Sequence, residues 1–286
     1  SNMSQDFLRT KKNLDPLDSR RAVLHGFRLS FPAGRGIDFV EPSFATLKRD
    51  PTSSVHGVST LLSRVDADNL DRQEGGYEIE VAATRVYETG EELRAEVYVP
   101  RNELPLNHPE GPCSERYRAV LVKGAVENGL DEAWIELLRT LPVYTPSAET
   151  LALRAAVPPL SVLPQMSIAE LREHDGTSEA REVYTSACGY AFAHKPFFRS
   201  HWGRDVTFRN VLHFRGINLD ANDDGGISPF PRLSQLMPSE REYALQNLDR
   251  LLHKAGAPIA VLRDFWEEQE GALEGVFSAN TMSKLA

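Results

Sequence analysis

One carboxylate stands beside two glycines in the stretch Asn69-Leu-Asp-Arg-Gln-Glu-Gly-Gly-Tyr77, and it falls where a helix-like pattern gives way to a strand-like one. The residue is Glu74. Held at the rim of a sheet and partly withdrawn from water, a glutamate can take up a proton and give it back, which is the chemistry of a general acid/base. The plainer reading of the same residues is a solvated turn glutamate, and on local sequence alone it is the commoner one.

Two other groups could do chemistry. His194, His201 and His213, with Asp205 and the aromatics Phe197, Phe198 and Trp202, are rich in metal-binding types. Their spacing fits no ligand template, so structural histidines are expected and no metal is assigned. Asp220, Asn222 and Asp224, followed by Gly225, resemble the start of a calcium loop. Pro231 occupies the place of the bidentate glutamate, so an Asx-rich turn without a tight calcium site is expected. Cys113 and Cys188 are too few and too far apart for a disulfide framework or a zinc site and read as buried, inert thiols in a reducing compartment.

Composition narrows the partners. With 286 residues and 41% hydrophobic content the chain can bury a sizeable core, and 32 Lys+Arg against 41 Asp+Glu leave a net charge of −9. That balance argues against nucleic acid or an anionic membrane as the main partner. No stretch approaches the roughly 18 apolar residues of a membrane span, and there is no apolar run of a signal peptide. A soluble protein is expected, intracellular and cytoplasmic by default, with an organelle matrix left open.

The elements that must position Glu74 follow from patterning. Val65 to Asp71 reads as a short helix entered through Asp66 or Asp68. Tyr77, Ile79, Val81 and Ala83 alternate with Glu78, Glu80, Ala82 and Thr84, which predicts a half-buried strand with the first set inward. Phe27–Phe31, Phe44–Leu47, Val55–Leu62, Tyr77–Tyr87 and Leu93–Val99 give five strands, the last two joined as a hairpin with Leu93, Ala95, Val97 and Val99 on one face. Helices are predicted over Ser114–Asn128 and after the cap Asp131. The fold class is therefore α+β: a small mixed β-barrel or highly curved sheet flanked by helices, over residues 1–141. A proline-rich linker is expected over 142–164, then a largely helical extension over 165–286. In that extension a capping box at Ser239–Glu242 opens one helix, and Pro258 starts another bearing Leu262, Phe265 and Trp266.

Read in register, these pieces resemble the gamma-glutamylcyclotransferase family: the strand Phe27–Phe31 with its glycine-rich loop, Phe44-Ala45-Thr46-Leu47, Val55-His56-Gly57-Val58, Asn69–Gly75 ahead of Tyr77, and Ser114–Tyr117 through Lys123-Gly124-Ala125 to Asn128-Gly129-Leu130. The family's remaining hallmark is a Tyr-Gly-Ser-Asn-Leu/Met loop. Ser1-Asn2-Met3 resembles its last three residues. Ser1-Asn2 is either a cloning remnant ahead of Met3 or the loop itself with Tyr-Gly before Ser1. The second reading is preferred because it puts Phe7–Arg21 at the family's distance.

The resemblance implies a reaction in which a gamma-glutamyl amino acid, peptide or amine closes on itself to 5-oxoproline and frees the amine. It makes Glu74 the acid/base and gives the glutamyl moiety to the backbone of Ser1, Asn2 and Met3, with Tyr77 and Tyr117 as further substrate-binding residues. Core packing is an equal reading for the two tyrosines. No metal or organic cofactor is implied. A second reading is a catalytically idle member of the fold serving as a structural subunit, its C-terminal extension a docking surface for a protein partner.

Overall fold

The computed structural model describes residues 2–102, 105, 107–196, 199–207, 236 and 238–263, and divides into two units, Ser1–Tyr144 and Thr145–Ala286. Among the described residues no helix is long and apolar enough to cross a membrane.

Unit 1 is α+β. Helix α1 (Gln5–Lys12) precedes the antiparallel strands β1 (Asp18–Ser30) and β2 (Thr46–Leu61), helix α2 (Arg64–Gln73), the hairpin β3 (Tyr77–Val86) and β4 (Glu92–Pro100), and helices α3 (Glu115–Glu127) and α4 (Glu132–Arg139). The sheet order is β2-β1-β3-β4. It is open, with edge strands β2 and β4 curling towards each other. Strand count is the main difference from the expected pattern: Thr46-Leu47 and Val55–Leu61 belong to one long strand, β2, with Phe44 and Ala45 ahead of it and Leu62 after it. Pro51 does not end it, because the register with β1 shifts between His25 and Phe27, opposite this stretch. Gly26 takes a left-handed φ of 81° at that bulge, and the Asp50 carboxylate caps the bulged segment by accepting from the Thr52 amide at 3.0 Å. The bulge also brings Leu24 and Phe27 to the same face, where they pack with Val55, Ala82, Val97 and Val99.

The hairpin face is inverted at β3. Leu93, Ala95, Val97 and Val99 do share the inner face, but their cross-strand partners are Thr84, Ala82, Glu80 and Glu78. Ile79 and Val81 therefore point outward, 45% and 51% exposed. Glu80 is accommodated inside by pairing with Arg49. Alternation fixed the strand's period and left its sense open, since both sets carry apolar residues.

Helix boundaries follow capping chemistry. Ser63 accepts from the Asp66 amide and starts α2 ahead of the expected Asp66 or Asp68. Ser114 accepts from the Tyr117 amide and Asp131 from that of Trp134, starting α3 and α4 where expected. These two helices bury Tyr117, Leu121, Ala125, Ile135 and Leu138 against Phe31. Between β1 and β2 the loop doubles back on itself: the Ile37 amide donates to the Glu41 carbonyl at 2.7 Å. At Gly36 a Cβ would stand 1.8 Å from that same carbonyl oxygen, so only glycine fits. The Glu41 side chain is 2% exposed, pairs with Arg116 and accepts from the Ser114 amide at 3.2 Å.

Unit 2 begins inside the stretch expected as a linker. Residues 148–155 form helix α5, and Leu153, Val157 and Leu163 pack into a core built on the long helix α7 (Pro238–Ala255). Apolar residues between the prolines at the 3.6 period overrode the proline signal. The rest is a short helix α6 (Ile168–Arg172) and a sheet of order β5-β8-β7-β6, from β5 (Gln165–Met166), β6 (Tyr184–Ala187), β7 (Tyr190–Ala193) and β8 (Ala260–Leu262). Leu262, expected on a helix after Pro258, is in buried strand β8, paired with Tyr190 and Ala191 through its neighbours. Phe265 and Trp266 lie outside the described residues. Arg154 forks onto the fully buried Asp249 carboxylate at 2.5 and 2.6 Å, tying α5 to α7.

Two stability predictions follow. Replacing Glu41 by Ala leaves Arg116 half-buried and the Ser114 amide unpaired, so denaturant unfolding is expected to show a loss of about 3–5 kcal/mol. A midpoint equal to wild type would remove Glu41 from its anchoring role. His56 is stacked on Trp134 and bonded to the Tyr87 hydroxyl, and burial lowers its pKa below the ordinary histidine value. The unfolded chain then takes up the proton first, so its contribution is present above the ordinary value and lost as pH falls through it. The stability gap between wild type and His56→Gln is expected to narrow from pH 7 to 5; a gap independent of pH would refute this.

Candidate active site

Glu74 is the C-cap of α2. Its amide donates to the Leu70 carbonyl at 3.0 Å and its own carbonyl accepts from the Tyr77 amide at 2.9 Å, so Gly75 and Gly76 span a closed turn into β3. The side chain is 17% exposed. Lys12 Nζ lies 2.9 Å from Oε1, and Asn2 Nδ2 donates to the same oxygen at 3.3 Å. No contact among the described residues falls on Oε2. Helix α1 is held for this purpose from both ends: Leu8 and Leu14 pack with Leu70 and Tyr98, and Gln73 donates to the Lys12 carbonyl at 2.9 Å.

The Asn2-Met3 segment is positioned by α3. Asn128 Nδ2 donates to the Met3 carbonyl at 2.9 Å, and Gly124 leaves room for the Met3 side chain, which a Cβ there would meet at 3.0 Å. Asn2 thus lies against Glu74, and Met3, its neighbour in sequence, against α3. Ser1 lies outside the described residues.

The two tyrosines separate. Tyr117 is buried among Phe31 and Phe44 in edge-to-face contacts and serves the core. Tyr77 lines a cavity of about 530 Å³ at the end of the sheet. Burial first, and then the Glu74 charge, raises its pKa, while Arg35 acts in the opposite sense. Glu74 itself lines neither this cavity nor the larger one of about 880 Å³ over the concave face of the sheet; it sits between Asn2, on the wall of the larger, and Tyr77, on the wall of the smaller. Sequence reasoning missed Lys12 and the basic wall of the smaller cavity, Arg35, Lys48 and Arg49, which His108 also lines. Gly34-Arg35-Gly36 was the available signal, since glycines flanking a charge point to a loop that presents it.

In unit 2 the residues with metal-binding types are occupied otherwise. Asp205 accepts from the Ser186 hydroxyl and from the Gly189 and Thr207 amides. The His201 carbonyl accepts from Thr185, and burial first, then Arg250 and Lys254, lowers the His194 pKa. Among the described residues no three His, Cys, Asp or Glu side chains converge as for a metal. Phe197, Phe198, His213 and the acidic loop with Asp220, Asn222, Asp224 and Pro231 lie outside the described residues.

Residues 54–138 match the model of the AIG2-like family. A gamma-glutamylcyclotransferase of Bos taurus is 30% identical over 114 residues, 38% of this chain and 58% of that protein. One of Homo sapiens is 27% identical over 125 residues, 42% of this chain and 64% of that protein. The chain therefore spans less than two thirds of the length of these curated relatives. A solved gamma-glutamyl cyclotransferase structure aligns over 52% of this chain and 89% of its own, at 23% identity and a TM-score of 0.42. Over the matched segment the chain is similar to gamma-glutamylcyclotransferases.

Neither cysteine is placed to react as a thiolate. Both are buried; burial pushes the Cys113 thiol up to about 11 and raises Cys188 further. A thiol reagent at pH 7.5 is expected to leave the native protein unlabelled over the time in which the denatured chain takes up two equivalents. Fast labelling of the native protein would contradict this.

Proposed function

We propose that unit 1 is a gamma-glutamylcyclotransferase that converts a gamma-glutamyl compound to 5-oxoproline and a free amine, with Glu74 as general acid/base. The observation that carries this reading is the Glu74 carboxylate, partly buried, carried on the α2–β3 turn and bonded through Oε1 to Asn2 and Lys12. The reaction needs little else. The substrate's own α-nitrogen attacks its γ-carbonyl carbon, and the tetrahedral oxyanion collapses with cleavage of the original amide C–N bond. Two protons leave the α-ammonium and two end on the departing amine, so a carboxylate that takes and returns protons balances the step. Holding nucleophile and electrophile in a folded conformer supplies much of the rate. In this reading the Asn2-Met3 backbone holds the glutamyl moiety and Tyr77 borders the departing amine.

A second reading is favoured by one observation: the Lys12 ammonium already occupies the carboxylate, as it would in an idle family member whose unit 2 docks a protein partner.

Glu74→Gln keeps size and hydrogen-bonding reach and loses the base. Substrate binding should persist while 5-oxoproline release falls by roughly two to four orders of magnitude. Glu74→Asp should fall less, and the exposed Glu78→Gln should stay near wild type. Near-native turnover by Glu74→Gln would place the base elsewhere. Absence of release from any gamma-glutamyl compound by the wild type would leave the idle reading.

A further inference from the structure

The cavity bordered by Tyr77 has a wall that the acid/base chemistry does not use. Arg35, Lys48, Arg49 and His108 line it, and among the described residues no carboxylate does. This is a local reversal in a chain of net charge −9. These side chains are held in place. Lys48 Nζ donates to the Pro105 carbonyl at 2.7 Å, His108 Nε2 lies 3.1 Å from the Ala33 carbonyl oxygen, and Arg49 stacks over Phe27 while pairing with Glu80. Arg35 is exposed and sits on the doubled-back loop whose fold requires Gly36 and the buried Glu41. It is close enough to act on the Tyr77 hydroxyl, on which Glu74 also acts, so Tyr77 lies between the two charges. The volume, about 530 Å³, is in the range of about 300–1,000 Å³ that takes a ligand of drug size. That is more room than a small alkylamine fills.

We propose that this cavity binds the departing part of the substrate, that this part is a peptide with a free carboxylate, and that Arg35 sets the preference by pairing with that carboxylate. The inference rests on the reaction proposed above. A gamma-glutamyl group at Asn2 and Glu74 would direct its amide substituent past Tyr77, and a carboxylate farther along meets a fork of N–H donors suited to it. Neutral substituents gain nothing from the charge of this wall, and cationic ones are repelled by it.

The test compares a gamma-glutamyl dipeptide with a free C-terminus, the same dipeptide as its C-terminal amide, and gamma-glutamylbutylamine. For wild type, kcat/KM for the free acid should exceed that for the amide by about tenfold, chiefly through KM, with the butylamine lower still. Arg35→Gln should bring the free acid down to the amide's level and leave the amide unchanged, and Arg35→Lys should recover part of the difference. Equal turnover of acid and amide by wild type, or an acid preference that survives Arg35→Gln, overturns the proposal. Calorimetric titration of the free-acid dipeptide into the protein separates the two readings. If no 5-oxoproline forms, binding that Arg35→Gln abolishes retains the cavity assignment while the reaction fails; binding unaffected by Arg35→Gln, or none at all, overturns the cavity assignment itself.

Discussion

The buried contact of Glu41 with Arg116 and the Ser114 amide is the constraint on which unit 1 turns. Taking a carboxylate almost fully out of water is costly and is offset only when its oxygens find a cation and an amide donor. Here both partners come from the first turn of α3, an end that also favours negative charge. One side chain thereby fixes the loop after β1 and the helix that follows β4. Through the loop it places Arg35; through α3 it places Gly124 and Asn128, which seat Met3 and so Asn2 against Glu74. The two ends of the candidate site are coupled through a residue that touches neither.

Glu74 is held by backbone accounting more than by packing. At the end of α2 its amide and carbonyl are both spent in the turn, to Leu70 and Tyr77. The Glu74 backbone cannot move without opening that turn. Two glycines suit it because the chain must change from helix to strand within two residues. Lys12 and Asn2 then orient the group from an element that precedes it by some sixty residues in sequence, a closure supported by the Leu8, Leu14, Leu70 and Tyr98 contacts.

How much of this was legible depends on whether a feature is local. The starts of α3 and α4 were readable because Ser114 and Asp131 announce themselves as caps, and Glu74 because glycine punctuation isolates it. The inversion of β3 was not: Ile79 and Val81 are as apolar as an inner face needs, and only the register with β4, set across the hairpin, turns them outward. Nor was the continuity of β2 through Pro51, which depends on a bulge whose other half is Gly26. The stretch 142–164 misled in the opposite direction, its prolines concealing the helical spacing of α5. Arg35, Lys48, Arg49 and His108 converge only after β1, β2 and the segment beyond β4 meet at one end of the sheet, and no spacing rule joins them.

Net charge misleads for the same reason. An excess of carboxylates argues for an acidic surface, yet many are paired with arginine or lysine at short range: Glu41 with Arg116, Glu88 with Arg21, Glu80 with Arg49, Asp249 with Arg154. A paired carboxylate contributes little field beyond a Debye length of about 8 Å. What a ligand meets is the local imbalance left where pairing is incomplete, and a concave wall concentrates that field further. At the cavity beside Tyr77 the lining carries Arg35, Lys48 and Arg49 and, among the described residues, no carboxylate, a local composition opposite in sign to that of the whole chain.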